Sequence, residues 1–171
     1  MAYRIVVSEH GGPDVLVPII EELPEPGPGE ARIAVEAAGV SGFDLIYRRW
    51  RRLPGCPPLP FALGEDVVGR VDKLGPDVST LVVGQRVAAA TWTLGVGGGY
   101  AESICLPADQ LVPVPEEVDA ATAVCLVANY LTAHLHLHQF GRVESGERLL
   151  VHGAAGGVGS AVMDLGRVAD L

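Results

Sequence analysis

Between Ala31 and Val40 the chain alternates Arg32, Ala34 and Glu36 against Ile33, Val35 and Ala37. That period of two predicts a strand with one face buried. Shorter runs of the same character lie at Tyr3–Ser8, Val15–Leu23, Glu65–Leu74, Gln85–Thr91 and Tyr100–Leu106. Gly11-Gly12-Pro13, Pro24-Glu25-Pro26-Gly27-Pro28-Gly29 and Gly75-Pro76-Asp77 separate some of them, and segments so rich in proline and glycine exclude helix and central strand. Asp44–Trp50 suits a short helix. Many short strands divided by turns predict a compact β-barrel-like first part.

The pattern changes near Pro115. Glu116, Glu117 and Asp119 open a helical stretch, where the helix dipole favours negative charge. It is expected to run to about Gln139 with a break near Asn129. Val124, Leu126, Val127, Leu131 and Leu135 supply its apolar side, and Gly141 marks its end. Arg148–His152 then reads as a short buried strand, Gly153–Gly159 as a glycine turn and Ser160–Val168 as a helix. Gly156, Gly157 and Gly159 stand where backbone must approach a pyrophosphate and where the helix packs on the strand; Ala154 replaces the usual first glycine. The strand before and the helix after supply the context that makes this a dinucleotide-binding Rossmann turn rather than an ordinary one.

Charge narrows the partners. Twelve Lys and Arg against 21 Asp and Glu give a net charge of -9, which repels phosphate backbones and excludes nucleic acid as a general partner. The basic cluster Arg48, Arg49, Arg51 and Arg52 reads as a solvated loop. Cys56, Cys105 and Cys125 are too far apart to suggest a disulfide framework or a zinc knuckle. The N-terminus lacks the order of a secretory signal, and no apolar run reaches the ~18 residues of a membrane span. A cytoplasmic protein is expected. Of His134, His136 and His138 only the first and last share a helical face, and with no third ligand they make no metal site. Gly95–Gly99 is a flexible loop with no helix directly after it.

The ordered set Pro24–Glu30, Ala38-Gly39-Val40-Ser41-Gly42-Phe43-Asp44, Leu63–Val71, Gly84-Gln85-Arg86-Val87, Gly98–Glu102, Tyr130-Leu131-Thr132-Ala133 and the glycine turn resembles the N-terminal half of the zinc-independent medium-chain dehydrogenase/reductases, in their quinone oxidoreductase-like branch. The resemblance covers the whole chain. It implies a mainly β fold: a chaperonin-10-like (GroES-like) barrel over residues 1–115 that holds substrate, then residues 116–171 as the first helix and βα unit of an incomplete NAD(P)-binding Rossmann domain. It implies NAD(P)H-dependent reduction of quinones or activated alkenes, NADP(H) favoured over NAD(H), no zinc, a small-molecule quinone or enone as partner, no membrane or nucleic-acid partner, and a homodimer. The zinc-dependent branch carries a cysteine where Ser41 stands, a histidine near Gly64-Glu65 and four close cysteines in the region of Cys105.

No catalytic residue is assigned. The resemblance places Ser41 in the substrate pocket, where quinone reductases often carry asparagine; Phe43 and Tyr47 either wall that pocket for an aromatic substrate or belong to the barrel core. It places Ala155, Gly156, Gly157, Val158 and Gly159 around the cofactor phosphates. Thr132 either bonds the nicotinamide carboxamide or packs between helices. Asn129 shares its helical face and either lines the cofactor site or satisfies the helix break. Asp44 orders its loop rather than acting as a base. The acidic residue that would read the cofactor ribose is expected about 20 residues past the turn, beyond Leu171. The chain reads as a fragment of a longer enzyme or a naturally shortened member, whose single βα unit would expose apolar surface and favour self-association. The alternative is a non-redox GroES-like module used for binding, scaffolding or a cyclase-like role.

Overall fold

The computed structural model describes residues 1–49, 56–91 and 97–171. The chain runs β1 (Ala2–Val7), β2 (Leu16–Glu21), β3 (Glu30–Ala38), α1 (Gly42–Arg49), β4 (Phe61–Ala62), β5 (Asp66–Leu74), β6 (Arg86–Ala90), β7 (Ser103–Pro107), β8 (Val112–Pro113), α2 (Ala120–Leu126), α3 (Ala128–His134) and α4 (Gly157–Val168). Contacts divide it into two compact units, Met1–Val124 and Cys125–Leu171.

In the first unit the alternating run becomes β3, inside a five-stranded antiparallel sheet of order β7-β3-β5-β6-β8. Its inward residues do what the alternation requires. Ile33 packs with Val67, Val71, Val87, Ile104 and Leu106 in a core closed to solvent, each such side chain contributing roughly 1.5–3 kcal/mol by burial. Its outward Glu36 accepts from Arg70 Nε of β5 (2.9 Å) and Arg86 Nε of β6 (2.8 Å). A smaller sheet, β2-β1-β4, lies beside this one. Backbone bonds from Ile5 N–H to Tyr100 and from Glu102 N–H to Tyr3 join β1 to the lead-in of β7. A second apolar cluster, Val7, Val15, Tyr47, Phe61 and Leu63, sits under α1. The mainly β, GroES-like architecture is thus present; β4 and β8, two residues each, are too short to show a period.

Asp119 caps α2, accepting from Thr122 N–H (3.0 Å) and Thr122 Oγ1–H (2.6 Å). Glu116 instead pairs with Arg70 at 2.7 Å. The helix break near Asn129 falls at Val127. The last turns, Leu135–Gly141, are π-helical and stop at Arg142, whose φ of 50° is left-handed. Leu126 and Leu131, expected on the apolar side, are exposed.

In the second unit α3 packs on α4, where Ala133 and Ala161 are fully buried, and small side chains let the two helices approach closely. Tyr130 donates to Asp164 Oδ2 at 2.7 Å across the same contact. The segment Arg148–His152 corrects an expectation. No ladder forms there, and Leu150 is 81% exposed. A strand needs a neighbour to hydrogen-bond, and no other described segment pairs with it. Among the described residues no single helix is long and apolar enough to cross a membrane.

Candidate functional site

Helix α1 starts earlier than the hydrophobic pattern suggests, because Ser41 and Asp44 form a reciprocal cap. Ser41 Oγ accepts from the N–H groups of Phe43 (3.1 Å) and Asp44 (3.3 Å), and Asp44 Oδ2 accepts from Ser41 N–H (2.6 Å). Such a box satisfies donors that the first helical turn leaves orphaned. Ser41 also donates to Glu65 Oε2 at 2.9 Å.

Asp44 is buried and holds three segments together. Besides Ser41 it accepts from Gly64 N–H at 2.9 Å and from the Tyr100 hydroxyl. Gly64 makes the approach possible. Its φ is +97°, and a Cβ there would lie 2.7 Å from the Tyr100 ring and 2.8 Å from its backbone nitrogen. Burial, and then the Asp44 charge and hydrogen bond, hold the Tyr100 phenol protonated well above the usual range.

Tyr47 is buried in the cluster under α1, where burial raises its phenol, whereas Phe43 is 58% exposed with its ring centroid 6.3 Å from that of Tyr47. Of the three expected pocket residues, Tyr47 therefore lines a small cavity of about 20 Å³, shared with Asp44, Phe61, Leu63, Gly64 and Glu65. Phe43 presents an open aromatic face. Hydrophobic periodicity does not reveal Glu65. The signal is the carboxylate pair Glu65-Asp66 set between Leu63-Gly64 and Val67-Val68. Burial pushes its carboxyl up, the Ser41 hydrogen bond works against that, and the Asp44 charge adds to it.

In the second unit the glycine turn is tight. Gly153 has φ +71°, its carbonyl accepts from Gly156 N–H at 2.9 Å, and a Cβ on Gly159 would fall 2.2 Å from that same carbonyl oxygen. A Cβ on Gly157 would fall 2.8 Å from Asn129 Oδ1, so the Asn129 amide lies against the turn. Gly156 caps α4 with no side-chain hydrogen bond. The N–H groups of Gly157, Val158 and Gly159 open that helix, where backbone donors and dipole favour an anion. Ala155 and Val158 flank the glycines. Thr132 is half-buried on α3, and His136 Nδ1–H donates to its carbonyl at 2.7 Å. The His134 and His138 rings face one another 4.7 Å apart. Among the described residues no three His, Cys, Asp or Glu side chains gather to hold a metal ion. Arg51, Arg52 and Gly95–Val96 lie outside the described residues. Ser41, Phe43 and Tyr47 thus belong to one compact unit, and Asn129, Thr132 and Ala155–Gly159 to the other.

Comparison with known proteins supplies the lineage. The alcohol dehydrogenase GroES-like domain family matches residues 27–116. A quinone oxidoreductase of Pseudomonas aeruginosa is 38% identical over 159 residues, 93% of this chain and 47% of that protein. A 2-haloacrylate reductase of a Burkholderia species is 32% identical, covering 98% of this chain and 50% of that protein. The chain therefore spans about half the length of these curated relatives. Among solved structures, human synaptic vesicle membrane protein VAT-1 homolog-like protein superposes with a TM-score of 0.91 at 30% identity, over 99% of this chain and 53% of that one. A mycobacterial protein complexed with NADPH superposes at 0.84 and 35% identity, over 99% and 51%. With the GroES-like domain matched over more than half of its length, the chain belongs to the alcohol dehydrogenase GroES-like family, among the quinone oxidoreductase-like medium-chain dehydrogenase/reductases.

Proposed function

We propose that this chain serves in an NAD(P)H-dependent oxidoreductase that reduces quinones or activated alkenes by hydride transfer without zinc. The observation that carries the reading is the glycine turn. Gly159 leaves no room for a Cβ beside the Gly153 carbonyl, a Cβ on Gly157 would press on the Asn129 side chain, and the first amides of α4 carry no side-chain cap. The relatives named quinone oxidoreductase and 2-haloacrylate reductase, and the neighbour complexed with NADPH, support it.

In this reading residues 1–115 hold substrate and residues 116–171 begin the cofactor-binding domain. A nicotinamide dinucleotide supplies the hydride when bound. The backbone of Ala155–Gly159 orients its phosphates, with Asn129 fixing the turn and Thr132 offering a hydroxyl to the carboxamide. NADP(H) is the preferred form. Phe43 and Tyr47 give a planar substrate apolar surface. Ser41 has both acceptor positions on backbone N–H groups and its proton on Glu65, so its hydroxyl is committed to the protein rather than to a metal. We place the protein in the cytoplasm and expect a homodimer.

Titration of NADPH into the purified chain, followed by nicotinamide fluorescence, tests this reading. Saturable binding and NADPH loss on adding 1,4-benzoquinone are expected. Failure to bind refutes it for this chain. Binding without turnover favours a second reading, a non-redox GroES-like binding or scaffolding module.

A further inference from the structure

We propose that His134 and His138 form a two-imidazole chelate for a divalent transition-metal ion, copper(II) before nickel(II) or zinc(II). Both residues lie in the second unit, and the site stands apart from the hydride chemistry above.

The local fold brings the two rings together. Four residues overshoot a full α-helical turn by about 40°, so histidines at that spacing share a face without being aligned. His134 is the last residue of α3, and Leu135–Gly141 continue the helix with the wider π turn. At this junction four residues come close to one full turn, and the His134 and His138 ring centroids lie 4.7 Å apart. Turns of the π type are rare and recur at functional sites. Both histidines are exposed, whereas Ala133 and Leu137, the residue before each, are buried. The packed side of the helix thus fixes the direction in which the pair points.

The separation suits one shared ion. With a metal–nitrogen bond of about 2.0 Å, each ring centroid stands about 3.2 Å from the metal. Two imidazoles bound at a right angle then have centroids about 4.5 Å apart, and two at the tetrahedral angle about 5.2 Å apart. The observed 4.7 Å lies nearer the right angle, the arrangement of square-planar or tetragonal copper(II) and nickel(II). The ring planes are inclined by 52°, which keeps their faces off one another. The residue spacing predicts no metal site for want of a third ligand, and this ring geometry corrects that expectation.

The donor set selects the ion. Imidazole nitrogen suits copper, nickel and zinc, whereas calcium and magnesium require oxygen ligands, and copper(II) binds most tightly of the divalent series. Among the described residues no third His, Cys, Asp or Glu joins the pair, so water completes the coordination of an exposed ion. His136 is turned elsewhere: its Nδ1 is held by the Thr132 carbonyl at 2.7 Å, and its ring lies 5.8 Å from that of Phe140. A bound ion would clamp the first π turn to the end of α3.

Titration of Cu2+ into the full chain carrying C125S, which removes an exposed thiol able to reduce the ion, tests the site. Pulsed electron paramagnetic resonance counts the imidazoles on the metal. One ion per chain, bound well below ~1 mM and carrying two imidazoles, is expected. H134A and H138A should each weaken binding by about 100-fold, the loss when two linked ligands become one, and H136A should leave it unchanged. The double variant H138Q/Q139H keeps the number of histidines but moves one ring out of register, and should bind as weakly as H138A. At an ion concentration 100 times Kd, exchange of the Leu135–Gly141 amides should slow by up to about 100-fold. A single imidazole on the metal, H138Q/Q139H binding like the parent, or H136A weakening as much as H138A overturns the proposal. Exchange unchanged by the ion overturns the clamping alone.

Discussion

Replacing Gly159 by alanine tests the glycine turn most directly. The added Cβ would stand 2.2 Å from the Gly153 carbonyl oxygen, 2.7 Å from Ala154 Cα and 2.8 Å from the Gly153 carbonyl carbon. All three are backbone atoms, so no side chain can swing away. The turn and the start of α4 must separate by about an ångström to restore ordinary contact. Overpacking of this kind costs about 1–3 kcal/mol, against which alanine recovers about 0.5–1 kcal/mol of helix propensity. A net loss of about 1–2 kcal/mol corresponds to ~5–30-fold faster opening of α4, measurable by hydrogen exchange of its amides. NADPH binding, followed by fluorescence, should weaken in parallel. Gly157 provides the internal control. The atoms nearest its Cβ would be those of the Asn129 side chain, at 2.8–3.0 Å, so G157A should be milder, and N129A should relieve it. A double-mutant cycle should give coupling of about 0.5 kcal/mol or more between positions 129 and 157 and little between 129 and 159. The reasoning is refuted if G159A exchanges like the wild type, or if N129A rescues both variants equally.

Removing the α1 cap in S41A should cost about 1 kcal/mol, a fall in melting temperature of about 2–4 °C for a chain of this size; an unchanged melting temperature would show that the cap is idle. Burial lifts the Cys105 thiol to about 11, leaving roughly one thiolate in a thousand at pH 8. Iodoacetamide labelling read by peptide mass spectrometry should therefore reach exposed Cys125 well before Cys105, and equal rates would contradict the burial argument. Glu65 has its folded-state proton affinity raised above the ordinary 4.5, so the stability it contributes is complete below that value and is lost as pH rises through the folded midpoint. Urea unfolding of E65Q should lack that decline, and parallel pH curves for E65Q and wild type would count against it.

The large sheet was legible because one-sided burial writes a period of two into the sequence. Ile33 and Val35 alternate with Arg32 and Glu36, and the structure puts Ile33 in the core and Glu36 between two arginines. β4 escaped because Phe61 and Ala62 make only two ladder positions, too few for any period. The helix-period pattern missed the true start of α1, since a cap is polar and lies outside the apolar stripe; the Ser41-x-x-Asp44 spacing carries that signal. The apolar run Leu149–Val151 promised burial that only a partnering strand supplies. The bond from Ser41 to Glu65 joins residues 24 apart in sequence and forms only through tertiary structure.

Asp44 also has a kinetic meaning. Its carboxylate ties the start of α1 to Gly64, 20 residues away, and to Tyr100 on a still later segment. Neither bond can form until the loop before β5 and the lead-in to β7 have docked. Loop closure over such spans is entropically costly, so this knot is expected to tie late, after the folding barrier. Weakening it would then leave the refolding rate nearly unchanged and speed unfolding, the signature of a position with a low φ-value. The residues that shape the candidate pocket would be among the last to assemble and the first to let go.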